Sequence, residues 1–147
     1  MKRYVSLTIA IMTFAALIAT TAHAQTSGSR SMRARIPFAF HVGNKELPAG
    51  KYNITVLNPN SDHKVLQIRS LDGRASAIIQ TFDTSANAAA SSRLVFHRYG
   101  ATYFFAQARV VGESTTLTAV KSNAERTEAA AAARPASKAI VALVSAF

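Results

Sequence analysis

The chain is 147 residues long and contains no cysteine, so disulfides, thiolate catalysis and cysteine-ligated zinc or iron–sulfur centres are excluded. Its formal net charge is +10, from 17 Lys and Arg against 7 Asp and Glu. That balance favours anionic partners and leaves few carboxylates for a pair held across a cleft, as glycoside hydrolysis requires.

The first residues, "MKRYVSLTIAIMTFAALIATTAHAQTS", read as a secretory signal peptide over 1–24. Lys2 and Arg3 supply the positive start, an apolar stretch runs from about Val5 to Ala19, and Ala22-His23-Ala24 has the small-x-small form of a cleavage site. The apolar stretch is short for a stable membrane span. Lys2-Arg3 is not a twin arginine, so the general export route is expected, and without cysteine there is no lipid anchor. The mature chain is expected to begin at Gln25 and to reside in the periplasm or outside the cell. It would touch the membrane only through the signal peptide before cleavage. Removing residues 1–24 leaves 123 residues, one domain's length, and the loss of Lys2 and Arg3 lowers the net charge to +8. Nucleic acid is electrostatically reachable, but export makes it an unexpected partner.

Residues 25–33 are mostly small and polar and read as a flexible lead. A β-domain follows over 34–120. In "RARIPFAFHV", Ile36, Phe38, Phe40 and Val42 alternate with Pro37, Ala39 and His41, the period of a strand with one buried face. Pro37 has no N–H for a ladder, which puts that strand, or that end of it, at a sheet edge. Gly43-Asn44 predicts a two-residue hairpin turn, and Leu47-Pro48-Ala49-Gly50 a type I turn. "KYNITVL" predicts a strand with Tyr52, Ile54 and Val56 on one face, and "NPNSD" at 58–62 a loop. "KVLQIRSL" and "RASAIIQTF" are strands joined at Asp72-Gly73. Residues 83–92 read as a longer loop of small residues. "RLVFHRY" and "TYFFAQARVV" form a hairpin around Gly100-Ala101. The dense cluster "LVFHRYGATYFF" is therefore explained as two strands and a turn, since aromatic and β-branched residues favour cross-strand pairs. After a loop at 112–114, "TTLTAV" predicts the last strand of the domain.

"SNAERTEAAAAARP" changes period. Ser122 with Glu125 three residues on is a capping box, and the Ala-rich run ending at Arg134-Pro135 completes a C-terminal helix within 121–135. The tail 136–147 is apolar, and three placements stand open for it: an added strand, a membrane-seeking segment or a covering flap. About seven to eight strands, with turn signals roughly every 8–12 residues, predict an all-β fold. It is either a small antiparallel sandwich or a barrel, with a C-terminal α-helix.

"IPFAFHVGNKELPAGKYNI", "VLQIRSLDGRASAII" and "LVFHRYGATYFFAQARVVGE" together resemble a family of small exported, largely uncharacterised proteins common in Acidobacteria. The likeness runs over roughly residues 34–128 and centres on the "LPAGKY" and "FHRYG" patterns. The resemblance implies a compact β-domain with a helical C-terminal end, and no particular activity. The apolar tail after Pro135 departs from the pattern.

No Gly-x-Ser-x-Gly elbow is present. Asp72 belongs to a turn, and Glu125 and Glu128 to the helix. No catalytic, cofactor-binding or metal-ligating residue is assigned, no cofactor is expected, and a non-enzymatic role is expected. The mature histidines His41, His63 and His97 lack the short spacings of a metal site. His41 and His97 sit on strands, opposite the faces expected to be buried, and would converge with an acid only if their strands were neighbours. Phe38, Phe40, Tyr52, Phe96, Tyr99, Tyr103, Phe104 and Phe105 are about what the core of a small β-domain requires. Phe104 and Phe105 are adjacent and must face opposite ways, so one of them is exposed or covered by the C-terminal helix and tail. Surface or ligand contacts are expected at His41, His97, Arg98, Tyr99, Tyr103 and Phe104. The basic residues Arg35, Lys51, Arg69, Arg74, Arg93, Arg98 and Arg109 fall on different segments and form no run. The function expected is binding or scaffolding in the cell envelope or exterior, with anionic envelope components or another protein as partner. The alternative is a lipocalin-like carrier of an apolar ligand. The oligomeric state is left open.

Overall fold

In a computed structural model of the chain, residues 31–132 and 134–146 are described. The expected signal peptide, 1–24, and residues 25–30 of the expected lead lie outside them. Ten strands and one helix follow in order: β1 (Ser31–Ile36), β2 (Phe40–Val42), β3 (Lys45–Leu47), β4 (Gly50–Val56), β5 (His63–Ser70), β6 (Ser76–Ser85), β7 (Arg93–Tyr99), β8 (Thr102–Arg109), β9 (Thr115–Ala119), α1 (Asn123–Ala131) and β10 (Ser137–Ala146). Of the two all-β architectures open to the sequence, the chain takes the barrel. Eight strands close it in the order β1-β4-β5-β6-β9-β8-β7-β10, every neighbouring pair antiparallel, with β10 returning to β1. β2 and β3 make a hairpin beside this ring. β2 joins β8 through one parallel pairing, His41 with Phe104, and both hairpin strands touch β6.

The period of two explains the barrel interior. Met32, Ala34 and Ile36 of β1, Tyr52, Ile54 and Val56 of β4, Leu66 and Ile68 of β5, and Leu94 and Phe96 of β7 all belong to one buried cluster. β8 adds Phe105 and Ala108, and the hairpin adds Phe40, Val42 and Leu47. An eight-stranded barrel is about wide enough for side chains to fill it. Phe96 sits at the centre of the aromatic packing, edge-on to Phe38, Phe40 and Phe105 at 5.3, 5.4 and 6.0 Å between ring centroids. Edge-to-face contacts of this kind add to plain area burial.

The tail supplies the strand that closes the barrel. β10 lies between β7 and β1, with Val141 opposite Leu94 and Ala34 opposite Leu143. Ala139, Val141 and Leu143 pack toward the core, while Lys138, Ile140 and Ala142 are exposed. Alternation is present in "SKAIVAL", but both faces are apolar enough to hide it. "TTLTAV" is therefore not the final strand.

Other expectations shift at the edges of elements. "RARIPFAFHV" is two strands, because the chain leaves β1 at Ile36 and begins β2 at Phe40. β1 is flanked on both sides, by β4 and β10, and not at an edge. Pro37 is accommodated in the break, where no ladder bond is needed. Ser31, Met32 and Arg33, expected in the lead, start β1, and Met32 is fully buried. Asp83 to Ser85 extend β6 and pair with β9 instead of opening the loop. The hairpin turns form where expected: Gly43 and Gly100 adopt φ of 63° and 58°, which β-branched or bulky residues avoid.

The "LPAGKY" stretch closes on itself. The Tyr52 hydroxyl donates to the Pro48 carbonyl at 2.5 Å, and its ring packs edge-on against Phe40. Burial, helped by the negative charge of Asp72, pushes the Tyr52 phenol above its ordinary value. A phenol raised in the folded state stabilises the fold while it is neutral, and that contribution disappears as pH rises through its folded value. We expect Tyr52→Phe to lower stability at neutral pH by about 1 kcal/mol through the lost hydrogen bond. The variant should also show a flatter loss of stability above about pH 10; denaturant titrations across alkaline pH read both effects. Truncation after Pro135 removes β10 and leaves the edges of β1 and β7 unpaired. The shortened chain is expected to lose its cooperative thermal transition by circular dichroism.

Candidate binding surface

The outer wall carries the polar chemistry, in two places. The first is the junction of helix α1 with the barrel. Register sets one cross-strand row there: Glu46 of β3, His41 of β2, Phe104 of β8, His97 of β7 and Lys138 of β10. Phe105 points into the core, so its neighbour Phe104 faces out. Phe104 is nonetheless buried, stacked on His41 at 4.8 Å and edge-on to Tyr99 at 5.9 Å. The first turn of α1 spans this row. The backbone N–H of Ala124 donates to Asn44 in the β2–β3 turn, while Glu125 reaches β7. Of the two phenylalanines, the outer one is thus the one shielded at the helix junction.

Glu125 departs from the capping box. Ser122 accepts the Glu125 N–H at 3.1 Å, which is half of that motif. The carboxylate turns to the barrel: Nδ1–H of His97 donates to it at 2.6 Å and the Tyr99 hydroxyl at 3.3 Å. Lys121 donates in turn to Tyr99 at 3.5 Å. Glu125 is 4% exposed and Tyr99 6%, so a substrate would reach neither without moving the helix. The two histidines do not converge, because Phe104 stands between them. The acid nearest His97 is fully engaged, and His41 Nδ1 is buried without a partner. Among the described residues no group of three or more His, Asp or Glu is placed to hold a metal ion.

Arg98 and Tyr103, expected beside these residues, belong to another place. They face each other at the end of the β7–β8 hairpin, with the Arg98 guanidinium 5.5 Å over the Tyr103 ring. Tyr103 stacks on Phe38 at 3.9 Å, and Phe38 rests on Phe96. This stack covers one end of the filled interior.

The second place is the wall of β1, β4 and β5. Arg33 and Arg35 take outward positions on β1, Lys51 on β4 and Arg69 on β5, all exposed. Arg35 stands directly opposite Lys51, and Arg33 and Arg69 flank Asn53. None of the outward positions on β1, β4, β5 or β6 is acidic. The nearest acid by sequence is Asp72, in the β5–β6 turn. The Ser70 hydroxyl and the Arg74 backbone N–H hold its carboxyl below the usual range. Residues scattered along the chain are thereby gathered by strand register. Arg33 is the member not singled out in the sequence; its parity with Arg35 on one alternating strand is the signal that marks it.

A scan against protein-family models finds no match, and searches of the curated proteins and of the solved structures find none.

Glu125 fixes the helix by a charged hydrogen-bonded link in a dry setting. We expect Glu125→Ala to leave Tyr99 without its acceptor and to cost about 1.5–3 kcal/mol in urea unfolding. Glu125→Gln, which can still accept a hydrogen bond, is expected to recover part of that loss.

Proposed function

We propose that the protein is an exported, non-enzymatic β-barrel module that binds an anionic component of the cell envelope through its basic outer wall. The observation that carries this reading is Arg35 facing Lys51, with Arg33 and Arg69 beside them. Like charges set directly opposite on a sheet weaken it. A fold selected for stability alone has no use for that pairing, whereas an anionic partner turns it into attraction. The net charge of the mature chain and the resemblance to small exported proteins support the same reading. A role that depends on pairing with a partner strand is disfavoured, because closure of the barrel consumes the strand edges except that of the short β3.

The carrier reading keeps the barrel but needs interior space. Phe40, Ile54, Leu66, Leu94 and Phe96 are 0% exposed and packed together, so a ligand would have to displace core. The surface reading needs no such rearrangement.

The test is a pair of measurements on one variant. Arg35→Gln is expected to weaken binding to a polyanion such as dextran sulfate, and to make that binding less sensitive to salt, while leaving the melting temperature equal or higher. Unchanged binding would sink the proposal. Intact mass of the protein recovered from the envelope fraction is expected to match a chain beginning at Gln25.

A further inference from the structure

The outer wall changes character along its strands. On β4 the outward positions run Lys51, Asn53 and Thr55, with Leu57 just beyond; on β5 they run Arg69, Gln67 and Val65. The cations stand at one end and most of the apolar side chains at the other, although Leu71, 54% exposed, lies beside Lys51. β6 contributes Ile78 and Phe82 on its outward face, and Val120 follows β9. Leu57, Ile78, Phe82 and Val120 are 49%, 61%, 40% and 53% exposed.

Register makes these residues one patch. The Leu57 N–H donates to the Val65 carbonyl, Val65 faces Gln80, Gln67 faces Ile78, and His63 faces Phe82. Ala119, which precedes Val120, faces Thr81. The row Ser31, Thr55, Gln67, Ile78 lies next to the row Arg33, Asn53, Arg69, Ser76 on the same face. Single exposed apolar residues are ordinary, but a contiguous patch marks a surface that meets something.

We infer that this wall is a lipid-docking face. Arg33, Arg35, Lys51 and Arg69 meet anionic headgroups, and Leu57, Ile78, Phe82 and Val120 enter the boundary between headgroups and acyl chains. The inference rests on the anionic-surface reading above and specifies that surface as a bilayer. Charge complementarity selects this occupant. An acidic polysaccharide would use the cations and leave the apolar patch in water. A second copy of the chain laid on this wall would bring together two faces of the same net positive charge. Interfacial binding is the case in which apolar burial and attraction to anionic lipid add on one surface. Near the apolar end, Asp83 pairs with Lys64 on the opposite parity of β6 and β5, in phase with the buried Thr81 and Leu66, and Asp62 stands in the loop before β5.

The chain has no tryptophan, so Phe82→Trp places a lone reporter in the patch. The experiment compares vesicles of phosphatidylcholine with phosphatidylglycerol, vesicles of phosphatidylcholine alone, and dextran sulfate, using the exported protein and its variants. The introduced indole is expected to shift its emission to the blue with the anionic vesicles only. Ile78→Ser combined with Val120→Ser should lose affinity for those vesicles on the order of tenfold, yet keep its binding to dextran sulfate, which also shows that it is folded. Arg33→Gln combined with Arg69→Gln should lose vesicle affinity on the order of thirtyfold and weaken on dextran sulfate too. An indole that stays in water, with an apolar variant that binds vesicles like its parent, overturns the lipid inference and leaves the anionic-surface reading standing if the basic variant still weakens on both. A basic variant that binds both like its parent overturns the anionic-surface reading itself.

Discussion

Closure of the barrel by β10 is the constraint on which the rest of the structure depends. A sheet of this length left open would present two long rows of unpaired backbone groups on β1 and β7. β10 satisfies both rows at once, pairing Ala139 with Phe96 on one side and Leu143 with Ala34 on the other. The terminal edge of the sheet is then β3, three residues long, with Lys45 and Glu46 exposed on it. Short, charged edges discourage pairing with another chain.

The interior is mostly apolar, with the Thr81 hydroxyl bonded to the Lys64 carbonyl. Phe96, Phe40 and Tyr52 fill it, and the Phe38–Tyr103 stack covers its end. Helix α1 buries little apolar surface because its small side chains are mostly alanine. Its position rests on polar links instead, Glu125 to His97 and Tyr99 and the Ala124 N–H to Asn44. The same carboxylate that orders the helix also occupies the histidine that composition alone would offer as a ligand or base. The faces thus differ: apolar packing lies inside, polar anchoring under the helix, and the exposed basic residues gather on the wall of β1, β4 and β5.

Much of the fold was legible in the sequence because the barrel strands of its middle keep strict alternation and its turns use demanding residues. Asp72-Gly73 and Gly100-Ala101 mark their hairpins without help from tertiary context. Two features were not legible. The tail "SKAIVAL" carries an apolar outward residue, Ile140, so no polar face betrays it as a strand. The break at Pro37 is set by the path of the hairpin toward β8, a long-range demand that local propensity does not carry. The candidate surface was half legible. Strand parity puts Arg33 and Arg35 on one face, but pairing with Lys51 and Arg69 depends on which strands become neighbours. Glu125 was read as a cap because Ser122 stands three residues before it. The pull of His97 and Tyr99 on its carboxylate is tertiary and leaves no local trace.

The pairing of β1 with β10 also governs the order of events during synthesis. Met32 meets Ala146, contacts that join nearly opposite ends of the described chain. Contacts of such long range slow folding, because loop-closure entropy is lost before they form. Until β10 emerges, the growing polypeptide has no way to complete its ring. The strand that joins β1 to β7 is the last of the described strands to be made, so these two keep an unpaired edge longest and ring completion is the final event.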